Sequence, residues 1–328
     1  MGRLITLLAI ALVSLGVTAQ CVAPAALKPG DTVAILSLAG TPGDSVAERA
    51  GKVLEQWGFK VKYGKHIYTR HHTYAGTVDE RVADLLEALD DPEVKAIIST
   101  RGGYGSAMLL PTLTRERLAR CNKWIVGYSD ITAMHSALVC AGRMSIHGNM
   151  CGYMGRHSAT DSLNLLLRDV LTGKRPVYTV PAHQFNRAGT ATGIVVGGNM
   201  SVFSNIAGSR DFDFLDRDNI ADKDLILFFE DVGESIPRVA SMLTQLKVKG
   251  VFERTRGIIV GRFTDYDLRD GYSSMEQMLQ EYLAEYPDIP VCYDFPASHD
   301  ENWNRPMIEG ATATLTVTAD GATLIYHY

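Results

Sequence analysis

Short apolar runs alternate with segments of helical spacing through the first half of this chain, and that alternation most constrains its fold. Residues 31–38 follow a Pro-Gly turn and read as a buried strand. Residues 45–57 carry apolar side chains at 46, 50, 53, 54 and 57, the spacing of one helical face, and Gly58 supplies a stop. Residues 59–63 form the next strand. Apolar positions 78, 82, 85, 86 and 89 again recur at helical spacing. Thr77 and Glu80 fit a capping box in front of them, and Asp91-Pro92 closes the segment before a strand at 94–99. This repetition builds a parallel sheet with helices on its faces.

Two junctions in residues 97–130 then stand out. Arg101-Gly102-Gly103-Tyr104-Gly105 follows the strand at 94–99, and a helix is expected from Ala107 to Leu113. A strand at 124–126 delivers Gly127-Tyr128-Ser129-Asp130, after which Ile131, Met134, Leu138 and Val139 mark a helix. Both turns fall where a parallel sheet gathers backbone amides into one crevice. A serine on a sharp strand-to-helix turn is lifted clear of the sheet, beside helix N-terminal amides that favour negative charge. The motif is not a full G-x-S-x-G, because residue 131 is isoleucine, and helix capping by Ser129 or Asp130 is the alternative. The glycine run lacks the Lys-Ser/Thr of a P-loop and the spacing of a dinucleotide fingerprint. It suits an oxyanion-hole amide, since only glycines let a main chain approach a reacting carbonyl so closely. Arg101 is either a carboxylate-binding side chain or an ion-paired surface residue.

A further helical segment falls at 163–171, and 176–189, with Pro176 and Pro181, reads as a linker. The remainder, 190–328, is richer in short β runs (190–196, 224–229, 257–260, 312–318 and 322–326), with helices at 236–247 and 274–286. The expected organisation is a signal segment at 1–19, an α/β domain at 24–175, the linker, and an α+β domain at 190–328. The formal charge of −5 argues against nucleic acid and an anionic membrane surface as partners. Leu4 to Val17 is almost wholly apolar behind Arg3, with small residues before Gln20, which fits a cleaved signal peptide. Export to the periplasm without lasting membrane insertion follows, with lipidation at Cys21 as the second option. The other cysteines, at 121, 140, 151 and 292, have no metal-site spacing and read as buried small residues.

A serine nucleophile needs a base and a group to orient it. His71 and His72 sit in a polar loop, His135 on the helix after Ser129, and His147 near the crevice. His299 lies in an irregular polar loop, free to reach across a domain interface. The apolar strand at 225–229 ends in Glu230, a carboxylate that burial makes costly unless it is partnered. It either serves an imidazole or pairs with a nearby base, while Asp231 or Glu234 caps the helix from Ser235.

Taken in order, several segments resemble the LD-carboxypeptidase family of muramoyltetrapeptide carboxypeptidases, serine peptidases with a Ser-Glu-His triad. They are residues 28–33; 75–77 with Arg81 and Asp84; 91–97; 101–105; 127–132; Gly197-Gly198-Asn199; 229–234; and Gly261-Arg262-Phe263 with Asp265. The resemblance implies Ser129 as nucleophile, Glu230 as acid and His299 as base, and amides of Asp130 and of Gly102 or Gly103 as the oxyanion hole. It implies a Rossmann- or flavodoxin-like parallel-sheet first domain with a β-rich second one. It also implies no metal or cofactor, a murein peptide as substrate, and often a homodimer. Arg101, Tyr104 and Asn199 are candidate substrate contacts. Three departures stand out: Leu38-Ala39-Gly40 in the first loop, Ser298 where a glycine precedes the histidine, and Ser235-Ile236-Pro237 after Glu234. Two other readings are a microcin-immunity-type peptidase acting on a peptidyl-nucleotide, with Trp303 as a stacking residue, and a non-catalytic cell-wall peptide binder.

Overall fold

The computed structural model describes residues 21–220, 224–268 and 271–328; the expected signal segment lies outside them. Five strands form the first sheet in parallel: β1 (Thr32–Leu36), β2 (Lys60–Tyr63), β3 (Val94–Ser99), β4 (Trp124–Gly127) and β5 (Ser145–His147). Their order is β5-β4-β3-β1-β2, the flavodoxin-like arrangement. The strand order reverses between β1 and β3, so the loops leaving those strands diverge and open a crevice at their carboxyl ends.

The helices expected from periodicity are present at Val46–Gln56 and Val78–Asp90, the latter with its Thr77/Glu80 capping box formed. The segment expected from Ala107 is instead a 3-10 helix, Ser106–Thr112. Pro111 inside it has no N–H, and its ring would clash with the carbonyl four residues back in an α-helix. The helix Thr132–Cys140 is buried at all nine positions, which fits its place between the two sheets rather than on a surface.

The second sheet continues the numbering with β6 (Val177–Pro181), β7 (Gly189–Asn199), β8 (Leu225–Val232), β9 (Thr255–Thr264) and β10 (Val291–Cys292). It is completed by β12 (Thr312–Thr318) and β13 (Gly321–His327), while β11 (Met307–Glu309) falls between β10 and β12 in sequence. The order β10-β9-β8-β7-β12-β13-β6 is parallel from β10 to β7 and antiparallel beyond. Two features differ from the sequence reading. The expected linker holds β6, whose Tyr178 and Val180 face inward, while Pro181 sits on this edge strand, where a missing N–H can be accommodated. β11 leaves the second half altogether and pairs antiparallel with β5, giving the first sheet a sixth strand.

All five cysteines are buried, and the Cys21 thiol packs against the Val139 carbonyl. Among the described residues no helix is long and apolar enough to cross a membrane.

Candidate active site

Ser129 follows β4 after a single residue, and the chain turns so sharply there that Ser129 has φ +62°. A non-glycine residue in the left-handed region costs on the order of 1–3 kcal/mol and persists only where its surroundings fix it. Those surroundings are visible. A Cβ on Gly127 would lie 2.7 Å from the Ile131 side chain, and one on Gly102 would lie 2.8 Å from Ser129 Cβ and 3.0 Å from its Oγ. Only glycine at 102 lets the β3 loop close over the serine. The Asp130 amide heads a 3-10 turn, where an N–H has no internal partner, and the Cβ position of Gly102 is 3.4 Å from it.

The glycine run is held from below. Arg81 is almost wholly buried, and its Nη1 donates to the carbonyls of Leu38 and Gly105 at 3.1 and 2.8 Å. The Asp130 carboxylate accepts from the Ser106 amide at 2.7 Å, so it holds the glycine loop rather than facing solvent. Burial raises that carboxyl above the usual range against these bonds.

His299 reaches this turn from the other sheet. Its Nε2 is 2.8 Å from Ser129 Oγ and its Nδ1 is 2.6 Å from Glu230 Oε2. Glu230 is completely buried at the end of β8. Burial alone would lower the His299 pKa; the Glu230 charge and hydrogen bond, with Asp231 and Asp265, outweigh it and leave the pKa raised. Tyr128 packs edge-on against the His299 ring at 5.2 Å. The alternative role for Ser129, helix capping, is not taken up, since its side chain makes no cap bond. The same holds for Asp231, which accepts from the amides of Ser201 and Val232 instead of capping the helix after Ser235.

A cavity of about 310 Å³ opens over the serine. The loops after β1 (Pro42, Gly43) and β3 (Thr100 to Gly103) form one side, with Tyr153, Arg156 and Glu301 opposite. This is the crevice that the strand order requires. Arg101 lines it, its guanidinium reaching only the Thr41 carbonyl, at 3.5 Å, and pairing with no carboxylate among the described residues. Arg156, by contrast, is ion-paired to Glu301.

Two candidate substrate contacts lie elsewhere. Asn199 is buried, donates to Asp231 at 3.0 Å and caps the helix Met200–Ile206, so its amide is consumed by structure. Tyr104 is 71% exposed and outside the cavity lining. His135 is fixed between Ser145 Oγ and the Gly127 carbonyl, its pKa driven down to about 4 by burial. His147 is fully buried, and His71 and His72 are exposed. Residues that the sequence reading gave no place in the site are Ser106, Arg156 and Glu301. Arg81 appeared only within a family segment, although a fully buried arginine beside a glycine run always needs carbonyl partners.

A strained serine on a strand-to-helix turn, joined through histidine to a buried glutamate, is the arrangement of serine hydrolases, here set on a flavodoxin-like sheet. Sequence profiles agree: the LD-carboxypeptidase N-terminal domain matches residues 33–148 and the LD-carboxypeptidase C-terminal domain matches 192–315. The chain belongs to the LD-carboxypeptidase family. The murein tetrapeptide carboxypeptidase of Pseudomonas aeruginosa is 31% identical over 297 residues, covering 86% of this chain and 92% of that protein. A crystal structure of muramoyltetrapeptide carboxypeptidase from Oxalobacter formigenes superposes with a TM-score of 0.80 at 28% identity, covering 90% of this chain and 99% of that one. The microcin C7 self-immunity protein MccF of Escherichia coli is 28% identical over 319 residues, covering 87% of this chain and 89% of that protein.

Proposed function

We propose that this protein is a serine carboxypeptidase that hydrolyses the L,D-amide bond of murein tetrapeptides and releases the C-terminal D-alanine. The observation that carries this is the unbroken chain Ser129 Oγ–His299–Glu230, open to a cavity that also holds glycine amides and Arg101, which pairs with no carboxylate among the described residues. His299 takes the Ser129 proton as Oγ attacks the carbonyl carbon of the L-configured residue, and Glu230 fixes the ring tautomer. Amides of Asp130 and of Gly102 or Gly103 receive the developing oxyanion. His299 then protonates the departing D-amino acid's nitrogen, and water activated by the same ring releases the acyl group from Ser129. Arg101 holds the carboxylate of the departing residue, a role that suits a cavity arginine with no carboxylate partner among the described residues.

The microcin-immunity alternative needs a free stacking ring. Trp303 lies 4.4 Å under the Arg262 guanidinium, which speaks against it. A mere peptide binder has no use for the strain at Ser129. Export to the periplasm remains part of the proposal on the apolar run of residues 4–17. Burial of the Cys21 thiol favours signal removal without lipidation, because a thioether-linked lipid would have to leave the core with it. The test is to incubate the protein from residue 21 onward with muramyl tetrapeptide and assay free D-alanine. Release by wild type and none by Ser129→Ala is expected; no release by wild type overturns the reading.

A further inference from the structure

His299 is delivered by a segment with almost no regular structure, yet its ring must meet Ser129 and Glu230 at once. Ser298, which departs from the family's glycine, is fully buried and ties the segment to itself. Its Oγ accepts from the Asp300 amide at 3.0 Å and donates to the Trp303 carbonyl at 3.1 Å. The Arg305 amide reaches the Pro296 carbonyl at 2.7 Å. These bonds shape the loop without fixing it to the sheet that carries Glu230.

Arg262 makes that connection. It stands on β9, the neighbour of β8, and its own amide donates to the Ala297 carbonyl at 3.3 Å. Its Nε is 2.6 Å from Asp294 Oδ1, its Nη1 is 2.7 Å from Asp300 Oδ2, and its guanidinium lies 4.4 Å from the Trp303 ring centre. Trp303 Nε1 closes the circle on the Asp294 carbonyl at 3.3 Å. One guanidinium therefore grips the loop before His299, immediately after it, and at its far end.

We propose that Arg262 is a positioning residue for His299, holding the imidazole in register with both Ser129 and Glu230; this rests on the hydrolase reading above. Exposure separates this role from one in folding. The side chains of Arg262, Asp294 and Asp300 are 36%, 43% and 37% exposed, and ion pairs so open to water contribute little to stability. Orientation is where such a clamp acts, because a misplacement of about 1 Å can cost on the order of 100-fold in rate. A planar fork can hold two carboxylates and stack on an indole together; an ammonium cannot.

Arg262→Ala, Arg262→Lys and Asp300→Asn are compared with wild type by kcat and KM for D-alanine release and by the pH profile of kcat/KM. Phosphonylation of Ser129 by a fluorophosphonate probe gives a second reading that needs no peptide substrate. Arg262→Ala is expected to lower kcat and the labelling rate by about 100-fold with KM within about threefold, and to move the acid limb to lower pH as the His299–Glu230 contact loosens. Arg262→Lys should recover about tenfold of that loss, with Asp300→Asn intermediate. Labelling and kcat within threefold of wild type in Arg262→Ala overturn the proposal. A wild type that labels normally but releases no D-alanine removes the peptidase reading and leaves the clamp tested by labelling alone. Should Arg262→Ala fail to fold, Asp300→Asn decides by the same readouts, a wild-type labelling rate counting against.

Discussion

The Ser129 turn and the His299 loop meet at one hydrogen bond but are built in opposite ways. The turn is fixed by backbone: a left-handed serine, and glycines at 102 and 127 whose missing side chains let neighbouring segments touch. The loop is fixed by side chains, through Arg262, Ser298, Asp294 and Asp300. A backbone-built element tolerates no added atom, whereas a side-chain-built one degrades by steps as each contact is removed. Nucleophile and base therefore differ in how their geometry can be lost.

The largest effect should come from Ser129→Ala, which removes the nucleophile and is expected to lower kcat by at least about 10⁴-fold in the D-alanine assay. Glu230→Gln should follow, at about 10³-fold, with a change of pH dependence. In wild type the raised His299 pKa means that the neutral, proton-accepting ring appears only above the ordinary value near 6.5. The kcat/KM profile should accordingly rise with pH through a midpoint above 6.5. Without the Glu230 charge, burial is opposed only by the smaller effects of Asp231 and Asp265, and the midpoint should fall; an unmoved midpoint would show that Glu230 does not set it. Gly102→Ala, which puts a methyl against Ser129, is expected to cost about 100-fold in kcat, since nothing in the backbone turn can yield. Equal activity would show the turn to be softer than its contacts.

The smallest effect lies away from the chemistry. Glu309 is fully buried, and burial holds its carboxyl well above the usual range, so the folded state keeps a proton that the unfolded chain releases above about pH 4.5. Stability should therefore fall as pH rises from there. Glu309→Gln should melt a few degrees above wild type at pH 8, with the gap narrowing toward pH 5. A gap independent of pH would break this account.

Local signals revealed what local physics determines. The helices Val46–Gln56 and Val78–Asp90, the parallel α/β build of the first half and the junctions at Gly102 and Ser129 all carry their spacing in the sequence. His299 and Glu230 were identified as partners through an ordered set of family segments, because nothing in a 69-residue separation says that two side chains meet. Arg262 stood in one of those segments, but nothing there pointed to its partners, since Asp294 and Asp300 lie 32 and 38 residues away. Asn199 misled because an asparagine at a strand end serves a ligand or a helix cap equally well, and here the following helix claims it. Met307–Glu309 escaped notice because three residues carry too short an alternation to read as a strand.

That short strand has a mechanical consequence. β11 follows His299 by only a few residues and is laced into the first sheet beside β5, while the strands on either side of it in sequence belong to the second. The two halves are stitched rather than hinged. They cannot swing apart like jaws to admit a peptide without tearing a β ladder, so traffic through the crevice falls to its loops. A chain cut near residue 190 would bare β5 as an open edge, inviting strand-to-strand aggregation in place of an independent nucleophile domain.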